Sequence, residues 1–134
     1  MIYKVFTDGG SRGNPGKAAC AFVVYDDAGN LREKRGNYLG IATNNEAEYN
    51  GVIRALDYLQ TVKDIEEVNF FLDSQLVVNQ LNGFWKVKEP RMRDLLLKIR
   101  ERESGIARNI SFSYVPREQN TVADALLNET LDAQ

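Results

Sequence analysis

The chain predicts an α/β fold: a mixed five-stranded sheet flanked by helices, with segments in the order β-β-β-α-β-α-α-β-α. Three observations carry this. Strand-like segments open the chain, with hairpin chemistry joining the second to the third. Helix-period and strand-period segments then alternate. The length, 134 residues, suits one compact domain and is too short for two ordinary ones, so residues 1–134 are expected to form a single domain.

Residues 2–8 read as the first strand, 18–26 as the second and 31–39 as the third; Asp-Asp-Ala-Gly-Asn at 26–30 supplies the turn. Residues 44–60 follow as a helix with an apolar stripe, and 67–73, containing VNFFL, as a buried strand. A short helix over 74–82 stops at Gly83, a suitable C-terminal cap. After Pro90 a helix runs to about Glu103; residues 109–115 alternate as a strand, and a last helix starts after Asn120. No repeat, linker or low-complexity tract interrupts the pattern.

Composition narrows the chemistry. With 43% hydrophobic and 27% charged residues the chain reads as a soluble globular protein. No apolar run approaches a membrane span, and MIYKVFTDGG is not a signal peptide, so a cytoplasmic, membrane-free protein is expected. A monomer is expected too, since no exposed apolar stripe is evident. The complete lack of histidine excludes Ser-His-Asp and Cys-His catalysis, and the single cysteine, Cys20, sits in the apolar run AACAFVVY as a core residue. The net charge of −2 and pI near 5.2 argue against a nucleic-acid partner, with one local exception. Residues 85–102 hold seven basic side chains against three acidic ones, which suits either a solvated helix face or phosphate contact.

Four carboxylates stand where burial is expected: Asp8 at a strand end, Glu48 on the apolar stripe with Val52, Ala55, Leu56 and Leu59, Asp73 after VNFFL, and Asp124 early in the last helix. Carboxylates among apolar residues are costly unless something positive compensates them, and hard oxygen ligands favour Mg²⁺ or Mn²⁺. The first three also have a plainer reading. Asp-Gly-Gly is ordinary turn chemistry, Glu48 suits a helix dipole, and Asp73 suits an N-cap. Asn120 is the better cap of the last helix, which leaves Asp124 without that duty, and Glu46 falls on the polar side as a solvated charge.

The segments FTDGGSRGNPG, TNNEAEYNG, FLDSQLVVNQLNG and VPREQNTVADAL, in this order and spacing, resemble the four signature segments of ribonuclease H type 1 and span nearly the whole chain. The resemblance implies the ribonuclease H-like fold, with the first three strands antiparallel and the last two parallel. It implies that Asp8, Glu48, Asp73 and Asp124 bind two Mg²⁺ or Mn²⁺ ions, spaced about 3.5–4 Å apart, with Asp8 bridging them. The implied reaction is endonucleolytic cutting of the RNA strand of an RNA/DNA hybrid, leaving 5′-phosphate and 3′-hydroxyl ends. Gly9, Asn14, Asn44, Asn45 and Gln75 are implied to contact the hybrid, and Thr43 with Asn14 to hold a phosphate of the DNA strand.

Two departures from the family pattern stand out. Many members carry a histidine before the fourth acidic residue; here Arg117 or Glu118 is the candidate to take over part of that role, Glu118 also reading as an exposed loop charge. The basic protrusion of some members is shortened to Trp85, Lys86 and Lys88 before Glu89-Pro90, and Trp85 suits either a DNA sugar or the core edge. Two other readings remain at this stage: another two-metal nuclease, and a binding domain of the same fold without turnover.

Overall fold

The computed structural model describes all residues 1–134. One sheet holds five strands: β1 (Ile2–Arg12), β2 (Gly16–Asp26), β3 (Leu31–Ala42), β4 (Glu67–Leu72) and β5 (Asn109–Tyr114), in the order β3-β2-β1-β4-β5. The first three pair antiparallel, and β4 joins β1 and β5 in parallel. Helices α1 (Asn44–Leu59), α2 (Gln75–Leu81), α3 (Pro90–Glu103) and α4 (Thr121–Asp132) complete the expected order. No helix is long and apolar enough to cross a membrane.

The alternation of β1 and β4 divides two packed layers. Val5, Val68, Phe70 and Phe112 turn to the face covered by α1, and with Val52, Leu56, Leu59, Val77 and Ile99 they form the main core. Phe70 and Phe112 stack with centroids 5.0 Å apart, an arrangement worth about 0.5–1.5 kcal/mol beyond area burial. On the opposite face Ala19 and Ala21 leave room for Leu127 and Leu131 of α4. The run from Ala18 to Val24 is continuously buried because β2 is covered on both faces. Cys20 lies within that run, and burial pushes its thiol up to about 12, which makes it an inert core residue.

The first three strands depart from expectation in length. Residues 9–12, read as a glycine loop, continue β1 and pair with Cys20 to Lys17, so Asp8 lies inside a strand rather than at its end. Partners five to eleven positions further along the chain supply main-chain bonds that a Gly-Gly segment does not signal locally. Gly9 is required here by close approach: a Cβ would overlap the Ala47 carbonyl group and the Glu48 nitrogen of α1. Gly83, with φ 78°, ends α2 beyond the C-cap Asn82 as expected.

Candidate active site

β1 runs beside β4 only as far as the pair Phe6↔Phe71. Beyond that level β1 continues with β2 alone while β4 gives way to α2, and the sheet splits. Asp8 and Asp73 each lie two residues past that last pair, at the kind of opening where open α/β sheets gather ligands. Glu48, the fifth residue of α1, closes the group from the helix side. Asp8, Glu48 and Asp73 each offer a carboxylate oxygen within 4.8 Å of the others.

Asp73 is free for this duty because its neighbour caps the helix. Ser74 occupies the N-cap of α2 and its Oγ accepts from Val77 N at 3.3 Å, which settles the N-cap alternative against Asp73. Glu48 is buried at 7% exposure, as its place on the apolar stripe of α1 predicts. The Gly9 N–H donates to Asp8 Oδ1 at 2.9 Å and leans toward Glu48 Oε1 at 3.3 Å. Gly9 is buried and its amide is engaged with the carboxylates, so it positions them and presents no free donor to a substrate.

No ion pair reaches any of the three. Burial, and next the nearby Asp73 charge, raise Asp8 to about 7. Burial and the charges of Asp8 and Asp73 likewise push Glu48 well up. Glu48 Oε2 is a buried oxygen without any donor. An orphaned acceptor among mutually repelling carboxylates is a donor set for a divalent cation, and oxygen-only ligands suit Mg²⁺ or Mn²⁺.

Asp124 lines the same cleft from α4 but stands outside the three-residue cluster. The cleft, about 350 Å³, is lined almost wholly by polar groups: Gly9, Gly10, Asn44, Asn45, Ser74 and Arg117 join the four carboxylates there, with Leu127 the one hydrophobic member. Arg117 sits in a 3₁₀ turn (Arg117–Gln119) between β5 and α4, and enters the cleft without an ion pair to the carboxylates. Glu118 in the same turn is exposed and does not line it, in agreement with the loop-charge reading.

Beside the carboxylates, the start of α1 carries a framework of amides. Asn14 Oδ1 accepts from Asn44 N at 3.0 Å, and Asn44 Oδ1 accepts from Ser11 N at 2.8 Å and Ser11 Oγ at 3.2 Å. Because main-chain N–H partners require an oxygen opposite them, the NH₂ groups of both side chains are left as free donors. Asn45 and Gln75 are exposed and have no side-chain bond of their own; Asn45 lines the cleft, and Gln75 opens α2 just outside it. Thr43 is the N-cap of α1: its Oγ1 accepts from Glu46 N at 3.1 Å, and Glu46 Oε1 accepts from Thr43 N at 3.0 Å. Glu46 is therefore a capping-box residue with Arg91 4.0 Å away, and not the solvated charge expected of it.

Asn120 also differs from expectation. It holds the N-cap position of α4 but makes no capping bond. Its Nδ2 instead donates to Thr7 O at 2.9 Å and to Asp73 Oδ2 at 3.3 Å. The local sequence signals a cap, and only the long-range partners redirect the side chain.

Of the basic stretch, Arg100 pairs with Glu103 and Arg102 with Asp57, while Arg93 donates to Val87 O; those charges brace α3. Lys86 and Lys88 form no ion pair, and Phe84 and Trp85 beside them are 75% and 49% exposed, so Trp85 does not seal the core.

A family model described as reverse transcriptase-like matches residues 6–130. Ribonuclease HI of Halobacterium salinarum is 40% identical over 95% of this chain and 63% of its own length. A bifunctional protein of Mycobacterium tuberculosis is 43% identical over 99% of this chain and 36% of its own length, so the chain spans less than two thirds of either relative. Among solved structures, ribonuclease H1 of the same halobacterium covers 100% of both chains at 38% identity with a TM-score of 0.94. LC11 ribonuclease H1 in complex with an RNA/DNA hybrid superposes at a TM-score of 0.93 with 41% identity, covering 98% of this chain and 97% of that one.

Proposed function

The chain belongs to the ribonuclease H type 1 family, and on that premise we propose that it hydrolyses the RNA strand of RNA/DNA hybrids internally, leaving 5′-phosphate and 3′-hydroxyl ends. The observation that carries this reading is the cluster of Asp8, Glu48 and Asp73, without an ion pair to any of the three, in a cleft bordered by outward amide donors. The hybrid held by a relative of 41% identity supports the same substrate class here.

Asp8, Glu48 and Asp73, with Asp124 from α4, would hold two divalent cations, Mg²⁺ or Mn²⁺. Bound there, such ions polarise a phosphoryl oxygen and lower the pKa of the attacking water. The chain's own residues do the rest. Gly9 N–H keeps Asp8 and Glu48 aimed at one point. The free NH₂ groups of Asn14 and Asn44, together with Asn45 and Gln75, offer donors to hybrid oxygens. These include the 2′-hydroxyls that distinguish RNA from DNA. The Thr43 hydroxyl spends its oxygen on the helix cap and keeps its hydrogen for a phosphate.

Arg117 takes the place of the absent histidine in position but not in proton chemistry. A guanidinium stays protonated, so Arg117 steadies negative charge in the cleft and passes no proton. Lys86 and Lys88, with Trp85, form a small exposed surface for the DNA strand; few phosphates are neutralised, and affinity is accordingly salt-sensitive. Residues 1–134 act in this reading as one catalytic domain and as a monomer.

The test is a labelled hybrid of defined sequence incubated with Mg²⁺ or Mn²⁺ beside single-stranded RNA, duplex RNA and duplex DNA. Internal cuts confined to hybrid RNA are expected. Hybrid binding without cutting under either metal would favour a binding domain, and cutting of duplex DNA another two-metal nuclease.

A further inference from the structure

Asn120 violates a local rule at a position where obeying it is easy. An asparagine at an N-cap normally turns its side-chain oxygen back onto the first free N–H groups of its helix, which stabilises the helix. Here α4 has no side-chain cap, although Asn120 stands at the right place with 1% of its surface exposed. Both hydrogens of its NH₂ group are directed across the molecule, one to the Thr7 carbonyl of β1 and one to Asp73 Oδ2. Its Oδ1 is left buried without a partner, a second cost. A fold tolerates two such losses at one residue where the alternative contacts serve a site.

From these contacts we infer that Asn120 is the positioning residue of the carboxylate cluster, locking Asp73 to β1 and to the helix that carries Asp124. The inference rests on the proposed metal-dependent cleavage. Asp73 follows the end of β4, at the split where no strand pairing holds it, so its direction has to come from a side chain. The Asn120 amide holds one carboxylate oxygen and leaves Asp73 Oδ1 uncommitted. The same residue pins the β1 main chain one position before Asp8, and Asp124 N donates to Asn120 O at 3.1 Å on the first turn of α4. Three of the four acidic residues are thus referred to one residue, Asp73 and the main chain beside Asp8 through its side-chain amide and Asp124 through its main-chain carbonyl. A neutral donor suits that duty, because a cation in its place would compete with bound metal. Partners beyond the ligands commonly set metal affinity in this way.

The decisive variant is Asn120→Ser, whose short hydroxyl caps α4 but does not reach Asp73. The measurements on the intact chain are the melting temperature in EDTA, the Mg²⁺ concentration giving half of the thermal shift, and kcat and KM on a hybrid. The expected result is a metal-free melting temperature within a few degrees of wild type. With it come a Mg²⁺ midpoint raised about tenfold or more, kcat lowered about 10–100-fold and KM changed by less than about threefold. Asn120→Asp, which keeps the shape but loses the donor, is the second variant and is expected to lose kcat similarly. Variants that melt lower but keep the wild-type midpoint and kcat, assayed well below their melting temperatures, would overturn the inference and leave a structural role only. A wild type that neither cuts hybrid nor responds to Mg²⁺ would overturn the functional reading and this inference with it.

Discussion

Asp8 and Asp26 lie on neighbouring strands of one ladder and are almost equally hidden, at 5% and 6% exposure, yet their surroundings push them in opposite directions. Asp26 closes its own turn: it accepts from Asn30 N at 2.9 Å, Ala28 N at 3.1 Å, and Asn30 Nδ2 and Arg32 Nη1 at 3.4 Å. Those donors, the Asn30 main chain first, hold its carboxyl below the usual value. Asp8 has one main-chain donor, Gly9 N–H, and no cationic one, and it faces Glu48 and Asp73; burial first, then Asp73, raise it to about 7. Burial therefore does not identify a functional carboxylate. A structural one is folded together with its donors, whereas a functional one is folded among other acids and left short of positive charge.

The sharpest way to break this contrast is to remove each charge in turn. Asp8→Asn is expected to reduce hybrid cleavage to background while the protein stays folded, and Asp26→Asn to leave kcat within about twofold of wild type, since surface turns distant from a site act on stability alone. Steady-state cleavage of one labelled hybrid by both variants checks this. Comparable losses in the two would erase the distinction.

Next in size is pH dependence in the absence of metal. Asp8 and Glu48 carry folded pKa values raised above their unfolded ones. The folded state then binds more protons than the unfolded one, so each contribution is fully present below the unfolded value, 3.8 for Asp8 and 4.5 for Glu48, and is lost as pH rises through the folded one, about 7 for Asp8. For Asp8 alone the change is on the order of a few kcal/mol. Asp26 works the other way: its contribution is present above its unfolded value, near 3.8, and is lost as pH falls through its lowered folded one. Urea melts in EDTA between about pH 2 and 8.5 should show wild type weakening toward alkaline pH. Asp8→Asn should flatten that limb, and Asp26→Asn should flatten only the acid one.

The smallest effect expected is on metal-free melting near pH 8. Asp8→Asn removes repulsion and should raise the melting temperature by several degrees, whereas Asp26→Asn gives up turn hydrogen bonds and should lower it by a few. Scanning calorimetry in EDTA reads both signs, and a fall in both variants would deny that the cluster is repulsive.

Much of this contrast was legible in the residues, and its limits are physical. Glu48 on an apolar helical stripe is a conflict visible in one dimension, and the alternation of VNFFL places Asp73 after a buried strand. Thr43 and Glu46 stand three apart in the Thr-x-x-Glu pattern of a capping box, a local signal that the polar-face reading of Glu46 passed over. The extension of β1 through Gly9 and Gly10 was not legible, because it depends on partners in β2 and not on strand propensity. Nor was the direction of Asn120: its local sequence fits a cap, and only Thr7 and Asp73, distant in the chain, draw the side chain away. Distances among Asp8, Glu48 and Asp73 likewise come from the split between β1 and β4, a property of the sheet and of no single segment.

Direct titration of Mg²⁺ into wild type, Asp8→Asn and Asp26→Asn, by calorimetry at pH 8 in low salt, tests the central claim most directly. Saturable binding by wild type and Asp26→Asn, with none or at least tenfold weaker binding by Asp8→Asn, is the predicted result. Equal binding by all three proteins, or none by wild type up to about 100 times the concentration that half-saturates an ordinary millimolar site, would contradict it.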